Sequence, residues 1–349
     1  MSVGDDLTVN AKDVRVRGEG DFDLRTSGAG TVSSNSVDMS VDAGLSVSAG
    51  GAVGITSASV DVSSSTSVAV STGSLSLDSA AATEVFSGTS LTATTTTLEA
   101  HSAEDTALTA GGRVTTTSAD ATVNVGDTLD VSAASTRVRN SGVVDVFAKE
   151  GTRLTSTDMA MSVGDEVQIL GGNEVVLTTE TLALNADTSA GISARGMAVS
   201  VNDALTATVG SATTVTSTDV NVDAGDDITL SGVDAAKVEM ATVQVTTASG
   251  LTAEVGTETS VVSQALKVDV VSDTKVSTAD MALEASGTMS VSGQESLTVS
   301  AGTVALDAAQ DGTIRMGGDA VLAAGDGIRM ASVTALAVSY THLTLPTKA

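Results

Sequence analysis

Residues 45–77 read LSVSAGGAVGITSASVDVSSSTSVAVSTGSLSL, and this stretch decides the fold. It is a series of short units that we call pulses. A pulse is three residues long, with an apolar residue in its first and third positions, and about five small or polar residues separate it from the next pulse. The pulses begin at Leu45, Val53, Val60, Val68 and Leu75, so neighbouring pulses are seven or eight residues apart. Apolar alternation over three residues is typical of a β-strand, because successive strand side chains point to opposite faces. Val and Thr dominate the pulses, which disfavours a helix.

The pulses continue along the chain and obey a longer repeat of eight pulses, in which each residue corresponds to the one about 61 positions further on. Val47 corresponds in this way to Leu108 and Ile169. Rare residues follow the same interval, since Val85-Phe86 returns as Val146-Phe147. Such repetition indicates stacked units that bury their apolar residues against their neighbours in sequence.

We therefore predict an all-β fold, a parallel β-solenoid in which the apolar residues of successive coils form inner ladders. Three pulses sum to about 23 residues, or ~7.6 per side, which suits a triangular coil. Two pulses sum to about 15 residues, which suits a flattened two-sided coil. In a third arrangement, three chains interlace into a trimeric β-prism. We favour the triangular coil for its roomier core and keep the two-sided coil and the trimeric prism as alternatives. Disordered low-complexity structure is a further alternative. The Gly, Asp, Asn and Ser residues between pulses are expected to form corners in left-handed or turn conformations.

The repeat covers residues 1–337, which we expect to form a single solenoid domain. Met1–Val9 aligns with Met161–Ile169, so the chain is expected to be a fragment of a longer repeat protein. Residues 338–349, VSYTHLTLPTKA, contain the only Tyr, the only Pro and one of the two His. They resemble a translated sequencing-adapter tail, and we expect them to be unstructured and non-native.

The chain of 349 residues is strongly acidic, with 16 Lys and Arg against 43 Asp and Glu and a net charge of -27. Such a surface would repel phosphates and anionic lipid, so we expect no nucleic-acid partner and no membrane insertion. No stretch approaches the ~18 apolar residues of a membrane span, and residues 1–30 lack the features of a signal peptide. Because there is no cysteine, disulfides and thiolate metal sites are excluded. Localisation stays open, with an extracellular or cell-surface fibre as the preferred expectation.

Few residues suit chemistry, and we assign no catalytic, cofactor-binding or metal-binding residue. His101 is the one histidine inside the repeat, and it follows its pulse where a solvent-facing corner is expected. The acidic pairs Asp5-Asp6 and Asp226-Asp227 stand next to glycines and could attract Ca²⁺ weakly, but solvated turns account for them better.

Two further features invite a binding hypothesis. The run Thr94–Thr97 suggests a flat threonine face that orders water, yet the outward middle residues of the first pulses are mixed. They are Arg15, Asp23, Asp38, Ser46, Gly54, Asp61 and Ala69. The three phenylalanines, Phe22, Phe86 and Phe147, are interpreted as local packing or exposed contacts.

The runs Leu45–Gly51 and Leu297–Gly302 have the texture of β-helical needle segments. In period and composition, residues 1–337 resemble the shaft extensions of type VI secretion spikes, phage tail needles and filamentous adhesin repeats. The needle families imply a trimer. This chain departs from them because glycine is not fixed in each repeat and the step alternates between seven and eight residues, so no functional residue is carried over.

We therefore expect a non-enzymatic structural protein, a rigid acidic rod or fibre segment that acts as a spacer or scaffold. Its expected partners are further copies of itself, either end to end or as a homotrimer. One alternative is a surface adhesin or Ca²⁺-decorated binding module. Another is a polysaccharide-active enzyme on a β-solenoid, for which an aromatic content of 1% leaves little to line a groove.

Overall fold

The computed structural model describes residues 2–209, 213–224, 228–232, 235–247, 251–255, 258–270, 274–278, 280–293, 297–316, 319–332, 335–339 and 342–344. The chain is all-β, with 81% of its residues in strands. It divides into two compact units, Met1–Thr178 and Thr179–Ala349. The described ranges contain no helix that is long and apolar enough to cross a membrane.

The strands are either short, on one side of a coil, or long, bending from one side to the next. Those of the first unit are β1 (Ser2–Val3), β2 (Leu7–Asn10), β3 (Asp13–Gly18), β4 (Phe22–Thr26), β5 (Gly30–Val41), β6 (Leu45–Ala49), β7 (Ala52–Ser64), β8 (Ser67–Ser79), β9 (Thr83–Ser87), β10 (Ser90–Ser102), β11 (Thr106–Ser118), β12 (Asp120–Val125), β13 (Thr128–Asn140), β14 (Val144–Ala148), β15 (Gly151–Val163) and β16 (Val167–Gly171), followed by β17 (Glu174–Ala186). Those of the second unit are β18 (Ala190–Val201), β19 (Leu205–Val209), β20 (Thr213–Ala224), β21 (Ile228–Gly232), β22 (Ala235–Thr247), β23 (Leu251–Val255), β24 (Glu258–Ser263), β25 (Ala265–Val270), β26 (Thr274–Ser277), β27 (Asp280–Ala285), β28 (Met289–Gly293), β29 (Leu297–Ala308), β30 (Asp311–Met316), β31 (Asp319–Ser332), β32 (Ala335–Ser339) and β33 (His342–Thr344).

Each strand pairs in parallel with the strand one coil later, so that Leu7 lies beside Gly30, Val14 beside Val37 and Phe22 beside Leu45. Three such ladders define the sides of the first unit. The first inward residues of side A are Leu7, Gly30, Val53, Leu75, Leu98, Ala121, Val144 and Val167. Those of side B are Val14, Val37, Val60, Thr83, Thr106, Leu129 and Thr152. Those of side C are Phe22, Leu45, Val68, Leu91, Val114, Thr136 and Met159.

The second unit also contains three parallel ladders. One of them runs through Leu182, Leu205, Ile228, Leu251, Thr274 and Leu297. The predicted triangular solenoid of ~23 residues per coil is thus confirmed, and the pairing lies within one chain. A two-sided coil would instead pair each pulse with the second pulse after it.

The core follows from the alternation of the strands. On each side the first, third and fifth residues point inward, and the second and fourth point outward. Val37 on side B and Leu45 on side C, for example, are 1% and 2% exposed and belong to one apolar cluster. Burying such side chains supplies the main stabilising term.

The corners are of two kinds. Two-residue corners are continuous with a long strand, as where β7 passes through Ala58 and Ser59. Most three-residue corners separate two strands, as Asp42, Ala43 and Gly44 do between β5 and β6. Of the two conformations expected at the corners, left-handed or turn, the left-handed one is not found, because no described residue, glycine included, has a positive φ. The corners turn without left-handed residues.

Corner glycines are needed for close approach between coils. An added Cβ at Gly126 would overlap the carbonyl oxygen of Ala103, and its distance to the Ala103 Cα would be 3.0 Å. Gly54, an outward residue of side A, has no heavy atom within 4 Å of an added Cβ.

The 61-residue repeat is not a whole number of coils. Eight sides make two coils and two further sides, so each repeat starts on a different side of the triangle. The position of the two-residue corner changes in the same way, from one side of the triangle to another. Where it changes, the paired residues of adjacent coils are one residue closer in sequence than elsewhere, as are Val53 and Leu75 on side A and Val114 and Thr136 on side C.

The chain end differs in part from expectation. His342–Thr344, within the segment expected to be unstructured, forms the short strand β33, which pairs with Asp319–Val321. Residues 340–341 and 345–349 lie outside the described residues. The single-domain boundary and the non-native origin of 338–349 stay predictions.

Candidate functional site

The side chains of the first unit that could take part in binding or catalysis lie on its outer surface. We call a row of outward residues at the same position in successive coils a column. One column of side A contains Asn10, Ser33, Thr56, Asp78, His101, Asn124, Phe147 and Leu170. His101 therefore lies on a flat side within β10, and not at a corner as expected. Its neighbours in the column are Asp78 below and Asn124 above, and its side chain is exposed.

The acidic corner residues have a structural partner. The Asp6 carboxylate accepts a hydrogen bond from the Ala29 backbone N–H at 2.7 Å, one coil later. Three more aspartates accept in the same way from the next coil. They are Asp21 from Gly44 at 2.8 Å, Asp105 from Thr128 at 3.0 Å and Asp120 from Val143 at 3.0 Å. These carboxylates satisfy backbone amides where the ladder is interrupted.

A metal site does not form in the part of the chain that is described. No group of three or more His, Asp or Glu side chains is arranged there to hold an ion. Asp38, Asp61 and Glu84 do follow one another in a column of side B, and Arg15 precedes them. Asp226 and Asp227 lie outside the described residues, so the hypothesis of a weak Ca²⁺ site there stays a prediction.

Side C has the longest run of coils without an outward charged residue in the first unit. Between its charged ends, four consecutive coils present only hydroxyl or methyl groups. The outward residues are Ser46, Ser48, Ala69, Ser71, Thr92, Thr94, Thr115 and Thr117. The outward residues seemed mixed in sequence because consecutive pulses lie on three different sides. Of the threonine run, only Thr94 faces outward on the flat side, whereas Thr95 is buried at the corner.

Charged residues end this surface on both sides. Asp23 and Arg25 form an ion pair in the coil below Ser46, with Arg25 Nη2 2.7 Å from Asp23 Oδ2. Arg137 and Arg139 face outward in the coil above Thr115 and Thr117. Neither of these two arginines has an ion pair or side-chain hydrogen bond with any described residue.

The phenylalanines occupy two environments. Phe22 is half-buried and packs against the apolar cluster that sides B and C share. Phe86 on side B and Phe147 on side A are exposed, and Leu170 lies beside Phe147 in the next coil. These positions agree with the interpretation as packing and exposed contacts.

In the second unit, one carboxyl group is clearly perturbed. Lys267 and the Ser292 hydroxyl donate hydrogen bonds to Asp269, and these bonds hold its pKa below the ordinary value. The Lys267 Nζ lies 2.7 Å from Asp269 Oδ2. Lys267 is exposed and Asp269 is half-buried, so the two side chains form a surface ion pair.

A feature that sequence reasoning missed is a set of buried corner hydroxyls. The fifth residue of many sides is a Ser or Thr whose hydroxyl lies within hydrogen-bonding distance of carbonyl oxygens at the corner. Ser87 is fully buried, and its Oγ is 3.0 Å from Thr66 O and 2.8 Å from Ser90 O. The same role is shared by Ser57, Ser64, Thr72, Ser79, Thr95, Ser102 and Ser156. The available signal was a Ser or Thr two residues after many of the apolar pulses.

Comparison with known proteins adds no assignment to this geometry. No family model matches the chain, and no curated protein or solved structure is significantly similar to it.

Proposed function

We propose that this chain is a non-enzymatic structural protein whose solenoid units serve as rigid, acidic spacer segments. A β-solenoid is a fold in which stability comes from stacking of neighbouring coils, so length can be added without a new core. The repeat architecture is consistent with a structural protein.

The observation that carries the proposal is that the 61-residue repeat spans two coils and two further sides, so that successive repeats begin on different sides of the triangle. Features that recur at this interval return on another side, as Phe86 does on side B and Phe147 on side A. A binding array needs its contact residues on one side. A repeat that distributes them over three sides favours a supporting role.

The residue types available on the surface also favour a non-enzymatic role. Catalysis needs a nucleophile, a base and an orienting group held together. His101 is flanked by Asp78 and Asn124 at the spacing of the coils, on an open flat side. The net charge of -27 keeps exposed strands soluble and opposes lateral aggregation.

A ruler experiment tests the spacer proposal. The chain has no cysteine, so spin labels at Asn10→Cys and Leu170→Cys report one distance on side A. Seven ladder steps at ~4.8 Å predict about 34 Å between the labelled backbones. Deleting residues 30–52 removes one coil in register, since Gly30 pairs with Val53. The distance should then fall by about 4.8 Å, with a narrow distribution in both proteins.

A deletion of residues 30–44 is the matched comparison, because it removes two sides and moves the later pulses to another side of the triangle. Leu170→Cys then no longer lies in the column of Asn10→Cys, so the distance should not follow the ladder spacing of one column. A broad distribution in the unaltered chain, or loss of folding after removal of the whole coil, would contradict the proposal.

A further inference from the structure

We propose that Arg137 and Arg139 form a binding site for a carboxylate group on side C. The two side chains are outward residues of the same strand, two positions apart. In a chain with 43 acidic residues against 16 basic ones, two adjacent arginines without an acidic partner are unusual. The identity of their ligand follows from a second copy of the same motif.

The first coil contains this motif in an occupied form. Arg15 and Arg17 face outward on side B, and Asp38 follows Arg15 in the next coil. Arg15 Nε lies 3.1 Å from Asp38 Oδ2, and Arg17 Nη2 lies 3.8 Å from the same oxygen. Both guanidinium groups thus converge on one carboxylate oxygen.

The 61-residue repeat relates the two motifs. Arg137 and Arg139 follow Arg15 and Arg17 after two such repeats. Asp38 maps by the same interval to Ala160, which pairs with Arg137 in the next coil. The position of the carboxylate is therefore occupied by a methyl group, while both arginines are retained.

Hydroxyl groups and a further positive charge lie beside Arg137 and Arg139. Thr115 and Thr117 precede the two arginines in the coil below, so their hydroxyls border the site. Arg113, at the corner before Thr115, adds a third positive charge. Asp158 stands at the corner two residues before Ala160, and its charge competes with a bound anion.

A carboxylate from either of two sources has the required chemistry. It is a small free carboxylate or an acidic side chain of a second copy of this chain. The corresponding internal pair is exposed, with side-chain exposures of 64% for Arg15 and 32% for Asp38. We therefore expect weak binding, with a dissociation constant on the order of 0.1 M for acetate.

The test is an NMR titration of the arginine Nε–Hε signals with sodium acetate at constant ionic strength. The signals of Arg137 and Arg139 should shift together and saturate, whereas those of Arg15 and Arg17 should change much less because Asp38 already occupies them. Dilution of the protein without acetate distinguishes the sources. A shift of the same signals with protein concentration identifies a second copy as the donor of the carboxylate.

Ala160→Asp restores the internal carboxylate and should weaken acetate binding at least about tenfold. Ala69→Asp is the matched control, since it adds the same charge to the same column three coils below Arg137 and should leave binding unchanged. Asp158→Asn should tighten binding. Thermal unfolding of each variant checks that the fold is kept. Equal shifts at all arginines without saturation, or undiminished binding by the Ala160→Asp protein, would overturn the proposal, which does not depend on the spacer function.

Discussion

Thr152 should be a destabilising residue, and its replacement by Val should make the protein more stable. The side chain is fully buried at the first inward position of side B, directly above Leu129. Its Oγ1 has no hydrogen-bond partner among the described residues. A buried hydroxyl without a partner costs about 1–3 kcal/mol. Because Val has the same shape, Thr152→Val is expected to raise the free energy of unfolding by about that amount.

The matched control makes the same chemical change at a corner. Thr95 is also buried, but its Oγ1 lies 2.7 Å from the Thr97 carbonyl oxygen and 3.3 Å from that of Gly73. Thr95→Val removes this hydrogen bond and is expected to lower the free energy of unfolding by about 1–2 kcal/mol. The two substitutions exchange a hydroxyl for a methyl group and should differ in sign.

Urea unfolding followed by circular dichroism measures both effects as shifts of the midpoint at an unchanged slope. A destabilised Thr152→Val protein, or equal shifts for the two variants, would refute the distinction between core and corner hydroxyls.

Three further predictions concern corners, core and charge. Gly126→Ala should destabilise by about 1–3 kcal/mol in the same assay, because the new Cβ would overlap a backbone carbonyl of the coil below, whereas Gly54→Ala should be neutral or stabilising by up to about 1 kcal/mol. Leu45→Ala should lower the free energy of unfolding by about 2–5 kcal/mol, since this side chain is buried in the apolar cluster. A loss no larger than that of the same substitution at an exposed Leu would contradict its assignment to the core. Asp269 should titrate by NMR below the ordinary pKa of an aspartate, and Lys267→Met should raise that pKa. Because the folded pKa is lowered, the stabilising contribution is present above the unfolded pKa and is lost as the pH falls through the folded value.

The period of the sequence predicted a parallel solenoid, but it suited both a two-sided and a triangular coil, and the roomier core was the reason to prefer the triangle. Three pulses at steps of seven and eight residues make one triangle, and the ladder from Leu45 to Val68 has this spacing. Such a regular pattern is informative because a shift by one residue would turn every apolar side chain outward. Of the corner conformations expected, left-handed or turn, the left-handed one is not found in the described residues. Corner glycines such as Gly126 are required by the close approach of the neighbouring coil and not by their backbone angles.

The surface was harder to predict because it requires the register between coils. Ser46, Gly54 and Asp61 are consecutive outward residues in sequence, yet they lie on three different sides. Only the ladders show that Ser46 and Ala69 share the uncharged surface of side C. The proposed carboxylate site could not be predicted from the sequence for the same reason. Only the register between coils shows that Ala160 lies beside Arg137, in the position that Asp38 has beside Arg15.

The triangular winding within one chain is the central claim, and a pair of engineered cysteines tests it most directly. Ser46 and Ala69 are outward residues paired across adjacent coils of side C, so Ser46→Cys with Ala69→Cys should form a disulfide within one chain. A two-sided coil would instead bring Ser46 near Asp61, which lies two pulses further on. Mild oxidation followed by mass spectrometry and non-reducing electrophoresis should give a cross-linked monomer for the first pair and none for Ser46→Cys with Asp61→Cys. The opposite result, or disulfides only between chains, would contradict the account.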